Sequence, residues 1–465
     1  MAQVDLPAQL GAALAPVLGA GVVVDDLARA PGGASRETWT FTARASDGTR
    51  HRYVLRRDPA GSPPSGLRLE GALLLAAHRA GVPVPEIAVV GDDDAALGAG
   101  SLIMQFIEGE TIPRRILRDE SLAAARAELA AQCGRVLAAI HRIPPFEVAG
   151  LPGGDPVEQL RAIVDRLGQP HPAFELAFRW LGDNRPPRSA QTVVHGDFRN
   201  GNLIVGPDGI RAVLDWELAH LGDPLEDLGW LCVKAWRFGS ELPVGGFGPV
   251  DQLVLAYEAA ADTTVDRAAL RWWEVLGTLR WGVICIVQTA THLTGTLRSV
   301  ELAAIGRRVC EVEWDLLELL GAEIPAAAAG AEDGTADGAV DALDGVADHD
   351  ALPPTLHDAP SAAELLEAVG EFLTGDVMAG TDGRLRFHAR VAANVVAMVG
   401  RELTLGPRQA SAHAARLTGL GVADEAELAT AIRTGRLAAR VEEVYAVVRA
   451  TVAEKLAVAH PGYRQ

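Results

Sequence analysis

The sequence predicts an α+β fold with a small β-rich N-terminal lobe, a larger helical lobe and a separate all-helical bundle at the C-terminal end. Short apolar runs bounded by Gly, Pro and Asp turns in the first third are typical of strands. Long segments with helical spacing follow, and a stretch of Ala, Gly, Asp and Pro interrupts them. A stretch with so few large apolar side chains cannot bury enough surface to offset the entropy that is lost when the chain becomes ordered. We therefore expect lobes at 1–107 and 108–321, an acidic flexible linker at 322–360 and a helical bundle at 361–465.

The first lobe contains four apolar runs with the composition of strands. Runs at 21–26 and 38–43 flank a turn with two adjacent glycines, and a third run at 52–57 carries several arginines. An apolar helix at 73–80 follows, and a further buried strand covers 101–106. This order predicts a sheet accompanied by a helix.

A cluster of polar residues lies in the second lobe, between three short apolar runs that predict buried strands and a hairpin. A His-Gly-Asp tripeptide ends at Asp197, Asn202 lies five residues later, and Asp215 lies thirteen residues beyond Asn202. The tripeptide alone is common in turns, but the conjunction is far more specific. Asp197 can accept a proton from a hydroxyl, while Asn202 and Asp215 offer the oxygen ligands that magnesium prefers. The spacing predicts magnesium-assisted phosphoryl transfer by these three catalytic residues.

Helical patterns dominate the rest of the second lobe. Helices are expected at 122–142, as a pair within 157–189, and from 224 to 320, where the tryptophans are interpreted as core rather than pocket residues. Asp223 and Asp227 follow the catalytic motif closely. We therefore interpret them as braces for the catalytic loop.

The bundle begins with a capping box from Ser361 to Glu364, which predicts the start of a helix. A second helix is expected at 387–403, and further helices near 408–418, 424–435 and 437–456. The bundle is expected to bind a partner protein or to mediate self-association.

The composition limits the classes of partner and compartment. A net charge of -19 argues against binding to nucleic acid or to an anionic membrane, although nine of the acids lie between Glu323 and Asp358. No apolar run reaches the roughly eighteen residues of a membrane span, and the N-terminus lacks a basic signal-peptide start. A cytoplasmic protein without membrane contact is therefore expected. The four cysteines lack CxxC spacing and predict neither a zinc site nor disulfides.

The catalytic motif resembles that of the aminoglycoside phosphotransferase and choline kinase superfamily, which has a protein-kinase-like two-lobe fold. The resemblance rests on 195–197, Asn202 and 215–217, and it continues through Gly-Asp-Pro and Asp-Leu at 222–228. Within the superfamily the chain resembles bacterial phosphotransferases related to the kinase-like part of certain acyl-CoA dehydrogenases. The bundle resembles an uncharacterised helical domain that accompanies such enzymes. The resemblance covers roughly residues 20–320 and implies ATP and Mg²⁺ as cofactors.

The resemblance also implies roles for residues of the first lobe. The glycine turn would approach the ATP phosphates, an arginine would replace the usual phosphate-binding lysine, and a helix glutamate would pair with it. A methionine would line the adenine pocket, next to a carbonyl and an amide that bond the adenine edge. Each residue also has a plainer interpretation: an ordinary hairpin turn, a solvated arginine, a surface glutamate or a core methionine. The candidate ATP-binding residues are Gly32, Gly33, Ser35, Arg56, Glu70, Met104, Gln105 and Ile107.

Two functions remain open at this point. The first is an ATP-dependent kinase that transfers the γ-phosphoryl group to a hydroxyl of a small molecule. The resemblance suggests a hydroxyacyl thioester as acceptor, with aminoglycosides, choline-like alcohols and sugars as other options. The second is a pseudokinase or regulatory module whose helical domain docks a partner enzyme. No lysine precedes Lys234, which favours the second function.

Overall fold

The computed structural model describes residues 5–29, 37–58, 66–91, 97, 100–187, 191–321 and 361–463. The chain forms two compact units. The first combines residues 1–155 with 185–277, and the second combines 156–184 with 278–465. The described residues include no helix with the length and apolar character of a membrane span.

The first unit contains a five-stranded antiparallel sheet in the order β1-β2-β3-β5-β4. Its face packs on α1, where Leu10 and Leu14 are fully buried with Phe41 and Leu55. The sheet and helix predicted for this lobe are thus present. The elements are α1 Leu6–Leu18, β1 Val23–Arg29, β2 Glu37–Arg44, β3 Arg50–Arg57, α2 Leu67–Arg79, β4 Ile87–Gly91 and β5 Ser101–Gln105.

The rest of the first unit surrounds two short antiparallel strand pairs, β6 with β9 and β7 with β8. These pairs hold the loop that carries the predicted catalytic residues, and they share an apolar core with α2, α4 and α8. The elements are α3 Pro113–Arg118, α4 Ala123–His141, β6 Thr192–Val194, β7 Leu203–Gly206, β8 Gly209–Val213, β9 His220–Gly222, α7 Leu225–Cys232, α8 Val250–Ala261 and the first part of α9 Arg267–Leu293. The α+β class predicted from the sequence is confirmed.

The second unit is entirely helical in its described part. Apart from the end of α9, its helices are α5 Pro156–Leu167, α6 Pro172–Asp183, α10 Val300–Ile305, α11 Val309–Gly321, α12 Ala362–Phe372, α13 Gly383–Leu420, α14 Glu425–Arg433 and α15 Val441–Ala459. The capping box at Ser361 and Glu364 is present as predicted. The linker expected at 322–360 lies outside the described residues.

One prediction for this unit is wrong. We expected separate helices at 387–403 and 408–418, but α13 continues through Pro407. A proline inside a helix removes one backbone hydrogen bond and strains the preceding turn. Packing outweighs this local preference: α13 is bonded to α15 through Arg401, which donates to the Val458 carbonyl at 2.7 Å, and Gln409, which donates to the Glu454 carbonyl at 3.1 Å.

The C-terminal helices α14 and α15 share one apolar core with α6 and α11. Ion pairs reinforce this packing. Arg433 lies 2.7 Å from Glu175 on α6, and Lys455 lies 3.5 Å from the fully buried Glu313 on α11. Tyr463 donates a 2.7 Å hydrogen bond to Asp315. These helices of the bundle therefore belong to the same packed unit as α6 and α11.

Candidate active site

The predicted catalytic carboxylate of Asp197 is held by three donors. Arg199 Nε lies 3.0 Å and Trp230 Nε1 lies 2.9 Å from Oδ1, while Asn202 Nδ2 lies 2.6 Å from Oδ2. Only 9% of the Asp197 surface is exposed. The Arg199 guanidinium also stacks over the Trp236 ring at 4.6 Å. The carboxylate thus has a fixed orientation and a small open surface, which suits a group that must meet one incoming hydroxyl.

A buried carboxylate braces the backbone just before Asp197. Asp227 Oδ2 accepts the His195 N–H at 2.7 Å, and its Oδ1 accepts the Gly196 N–H at 2.8 Å. His141 Nε2 lies 3.1 Å from the same carboxylate. Burial by itself raises the pKa of Asp227, but His141, His195 and these hydrogen bonds outweigh it and hold the pKa below its usual value. The brace predicted for Asp227 is confirmed. Asp223 accepts the Leu225 N–H at the start of α7.

The imidazole of His195 links the two ends of the motif. Its Nε2 lies 3.0 Å from the Leu214 carbonyl, and its Nδ1 lies 3.2 Å from the Asp197 N–H. A carbonyl only accepts and an amide N–H only donates, so the proton belongs on Nε2. Burial lowers the pKa of His195 despite the nearby carboxylates, which favours this neutral form.

Two backbone conformations set the shape of the loop. Gly196 has φ 76°, and a Cβ atom there would lie 2.4 Å from the Leu218 carbonyl oxygen. A glycine is therefore required by both the dihedral angle and the close approach. Asp215 adopts φ 66° and ψ 64°, a left-handed conformation that is uncommon for a residue with a side chain. Such conformations cluster at functional sites.

Asn202 and Asp215 are brought together by the β7–β8 hairpin. The Leu214 N–H donates to the Asn202 carbonyl at 2.8 Å, which ties the two residues' backbones side by side. The Asn202 amide nitrogen points to Asp197, so its oxygen is the atom left for another partner. The Asp215 side chain is 37% exposed. An amide oxygen and an accessible carboxylate fit a magnesium ion, which commonly takes one or two protein ligands plus phosphate and water oxygens.

Arg56 connects the sheet to this loop. It pairs with Glu70 of α2, which is 3% exposed, and its Nη2 lies 3.6 Å from Asp215 Oδ1. The predicted pairing of Arg56 with Glu70 is therefore present in the structure. The arrangement places a guanidinium between a buried carboxylate and the loop carboxylate. A second acceptor such as a phosphate oxygen could also be bound there, because guanidinium presents several donors in a fork.

The connection after β5 lies against the β7–β8 hairpin. Glu110 and Val205 exchange backbone hydrogen bonds of 2.8 and 3.0 Å. A Cβ atom at Gly109 would lie 2.5 Å from the Ile204 side chain, so only glycine permits this approach. Met104 is buried in the core that contains Leu102 and Phe198. The alternative interpretation of Met104 as an ordinary core residue predicts the same burial.

The structure describes two of the remaining predicted nucleotide-binding residues. Gln105 is exposed at the end of β5, where its N–H donates to the Glu86 carbonyl at 2.8 Å, and Ile107 is half-buried just beyond it. Gly32, Gly33 and Ser35 lie outside the described residues.

Sequence reasoning missed two residues that contact Asp197. Trp230 is 2% exposed and was interpreted as core, yet its indole N–H donates to the carboxylate. Helical spacing shows only that a tryptophan is buried and not which way its N–H points. Arg199 lies two residues after Asp197 in the loop, so its position inside the motif was an available signal.

The comparison with protein families identifies the class. A model described as "Phosphotransferase enzyme family" matches residues 26–273, more than half of the chain. The chain belongs to this family. A second model, a domain of unknown function called DUF6285, matches residues 379–463. The resemblances predicted for the catalytic motif and for the helical domain are confirmed.

Among curated proteins, the chain is 30% identical over 222 residues to acyl-CoA dehydrogenase family member 10 of Mus musculus, covering 44% of this chain and 20% of that protein. It is 31% identical over 215 residues to family member 11 of Gallus gallus, covering 43% and 27%. The chain thus spans about a quarter of the length of these relatives. A crystal structure from Ralstonia eutropha, whose name refers to an aminoglycoside phosphotransferase, is 22% identical with a TM-score of 0.55, covering 66% of this chain and 97% of that chain. This likeness shows the fold.

Proposed function

We propose that this phosphotransferase moves the γ-phosphoryl group of ATP to a hydroxyl of a small molecule, assisted by Mg²⁺. The observation that carries the proposal is the position of Arg56, paired with Glu70 and 3.6 Å from Asp215. A guanidinium here joins the sheet to the loop where metal-bound phosphates would lie. The absence of a lysine on β3 therefore does not remove the cation that the reaction requires.

Asp197 is the proposed base. As the new bond forms between the acceptor oxygen and the γ-phosphorus, the hydroxyl proton passes to the Asp197 carboxylate, and the bond from phosphorus to the bridging oxygen breaks to release ADP. Arg199, Trp230 and Asn202 fix the carboxylate so that it faces the hydroxyl without reorganisation. Bound magnesium, held by Asn202 and Asp215, would neutralise charge on the phosphate oxygens.

The nucleotide is proposed to lie along the sheet edge and the β5 connection. Arg56 would contact the α- and β-phosphates, and the turn with Gly32, Gly33 and Ser35 would approach them through its backbone N–H groups. Met104 would line the adenine pocket, with the Gln105 carbonyl and the Ile107 amide on the adenine edge. The buried Glu70 would hold Arg56 in place for this contact.

The proposed acceptor is the hydroxyl of a hydroxyacyl thioester. Support comes from the matched relatives, which are named acyl-CoA dehydrogenases. The matched segment covers 20% and 27% of the length of these two relatives. Release of ADP in the presence of hydroxyacyl thioesters, free hydroxy acids, aminoglycosides, choline and sugars tests the choice, and a rate with thioesters no higher than with water alone contradicts it.

The reaction itself is tested with Asp197→Asn, which keeps the shape and removes the base. We expect kcat to fall on the order of 10²–10⁴-fold, the usual contribution of a positioned base. The Kd for Mg²⁺-ATP, measured by calorimetry, should stay within a few-fold, because Asp197 is not one of the proposed nucleotide ligands. Glu217→Gln in the same loop is the matched control. If the wild-type chain binds Mg²⁺-ATP but no acceptor releases ADP, the regulatory-module function replaces the kinase function.

A further inference from the structure

A cavity of about 260 Å³ lies within the second unit, where α6, α11, α14 and α15 meet. Its floor consists of the buried side chains of Leu320, Ile432, Val444 and Tyr445. Protein interiors contain few voids larger than a water molecule, and an apolar cavity of about 150 Å³ already binds benzene. The cavity is therefore large enough for a small molecule with an apolar body.

The cavity opens to solvent beside the segment that joins α14 to α15. Ala438 and Val441 line it there, and both are exposed. Deeper inside, the one polar atom of Tyr445 is already used, because its hydroxyl donates to the Leu317 carbonyl. A ligand can thus enter from solvent and place an apolar group on a floor that offers no free hydrogen-bonding side chain.

Arg179 provides a cation in the wall of the cavity. Its Nη1 donates to the Ile432 carbonyl at 3.1 Å, and a Cβ atom at Gly435 would lie 3.7 Å from the same nitrogen. The guanidinium therefore lies against the turn that follows α14. Within the described residues Arg179 forms no ion pair. Its other N–H groups can bind a carboxylate in the paired geometry that guanidinium favours.

Other arginines next to the cavity residues are paired. Arg433 follows Ile432 in sequence and lies 2.7 Å from Glu175, while Arg440 precedes Val441 and lies 2.7 Å from Glu443. A charged side chain that is removed from water normally has a partner. Arg179 is half-buried and has none among the described carboxylates, so a bound anion is the group that completes its surroundings.

The second charged residue of the lining is Asp183, one helical turn after Arg179 on α6. It is exposed, whereas Arg179 is half-buried. Two charges interact about four times more strongly near a protein surface than in bulk water, because the effective dielectric constant is lower. The contact with Arg179 therefore outweighs the one with Asp183, and the cavity favours an acid over an amine.

We propose that this cavity binds a small apolar carboxylic acid, with the carboxylate on Arg179 and the apolar body on the floor. By comparison with the benzene cavity, the space suits a ligand of roughly ten non-hydrogen atoms. Helix α6 belongs to the segment matched by the phosphotransferase family, and α14 and α15 belong to the domain of unknown function. The ligand thus stabilises the packing of these helices. The proposal does not depend on the phosphotransferase reaction.

The test is calorimetric titration of the full chain with octanoate, 1-octanol and octylammonium, which share one apolar body and differ in charge. We expect octanoate to bind with a Kd below about 1 mM and about 10-fold more tightly than the other two. Octanoate should also raise the Tm of the chain, because it binds only the packed state.

Variants assign the site. Arg179→Gln should weaken octanoate about 10-fold and leave 1-octanol unchanged, since glutamine can still donate to the Ile432 carbonyl but carries no charge. Ala438→Trp fills the opening and should abolish binding of both compounds. Ala439→Trp is the matched control, since Ala439 is the next exposed residue and does not line the cavity. Asp183→Asn should bind octanoate at least as tightly as the wild type does.

Failure of octanoate to bind below about 1 mM overturns the proposal. Equal affinities for octanoate and 1-octanol overturn the role of Arg179, and tighter binding of octylammonium makes Asp183 the recognised group instead. If Arg179→Gln loses helical circular dichroism, the two tryptophan variants decide. Wild-type binding of octanoate by a folded Ala438→Trp chain, or its loss in Ala439→Trp alone, places the ligand outside this cavity.

Discussion

The two units of this chain both bury carboxylates, but they give them different donors. In the first unit, Asp227 accepts two consecutive backbone N–H groups of the loop that leads to Asp197. In the second unit, Glu313 faces the side chains of His171 and Lys455, and Glu175 faces Arg433. A carboxylate bonded to backbone fixes the path of a loop, whereas one bonded to side chains joins helices that are distant in sequence. The same chemistry thus positions a site in one unit and assembles helices in the other.

Asp227→Ala is expected to give the largest effect. The substitution removes the acceptor of the buried His195 and Gly196 N–H groups. The His141 imidazole loses the same carboxylate. Removing one member of a buried charged network costs about 3–5 kcal/mol. Urea unfolding should show this loss, and the turnover of any folded fraction should fall on the order of 10²-fold because Asp197 is displaced. Asp223→Ala is the control, since the Asp223 carboxylate accepts the Leu225 N–H at the start of α7. Equal losses of stability and turnover in both variants would contradict the role of Asp227 as the brace of this loop.

Glu313→Ala should destabilise the second unit by about 1–3 kcal/mol, since it removes a buried carboxylate from His171 and Lys455, while Lys455 keeps Glu425 at 3.4 Å. Burial raises the pKa of Glu313, but Lys455 and His171 outweigh it and hold the pKa below its usual value, so the group is charged at neutral pH. The Kd for Mg²⁺-ATP should not change, because the proposed nucleotide ligands lie in the first unit. Calorimetric unfolding and binding measure both.

The matched control for this prediction is Glu442→Ala, an exposed glutamate at the start of α15. Its loss should stay below about 1 kcal/mol, the range of a charge at a helix end. A weakened affinity for nucleotide in Glu313→Ala, at a temperature where the variant is folded, would contradict the separation of roles between the units.

Substitutions of Arg56 test whether the first unit binds the nucleotide phosphates through this guanidinium. Arg56→Ala should raise the Kd for Mg²⁺-ATP on the order of 10–100-fold, because the phosphates lose a cation and the buried Glu70 loses its guanidinium partner. Arg56→Lys restores the charge but not the fork of donors, so a smaller increase is expected. Arg57→Ala is the control, since Arg57 pairs with Glu37 instead. Wild-type affinity in Arg56→Ala would exclude a phosphate contact.

The sequence allowed a better prediction of the first unit than of the second. The spacing of Asp197, Asn202 and Asp215 predicted that they share one loop, because the chain between them is short and passes through a hairpin. The pairing of Arg56 with Glu70 was implied by the resemblance to the kinase superfamily, in which a helix glutamate pairs with the cation of the third strand. The direction of the Trp230 N–H could not be predicted, since helical spacing reports burial alone.

The packing of the second unit could not be predicted because it depends on distant segments. Arg433 and Glu175 are far apart in sequence, and neither has a local pattern that marks its partner. The continuity of α13 through Pro407 has the same cause: local propensity predicts a break, while contacts of Arg401 and Gln409 with α15 stabilise a continuous helix.

The smallest predicted effect is the pH dependence of the stability of the first unit. His195 is fully buried, and burial lowers its pKa below 6.5 although Asp227, Asp197 and Asp215 favour its charged form. The folded state therefore disfavours protonation. Stability from this group is complete above pH 6.5 and is lost as the pH falls below that value, because the unfolded chain then binds more protons. The carboxylates with lowered pKa values begin to contribute only at more acidic pH.

Urea unfolding between pH 7.5 and 5 measures this dependence in the wild type and in His195→Gln. The glutamine can still donate to the Leu214 carbonyl but cannot titrate. We expect the wild type to lose up to about 1.4 kcal/mol per pH unit more than the variant, the value for one proton. Burial also lowers the pKa of His413 in the second unit, but His413 is present in both proteins and cancels in the comparison. Identical slopes would mean that the His195 imidazole becomes protonated in the folded state, and the neutral link between Leu214 and Asp197 would then be wrong.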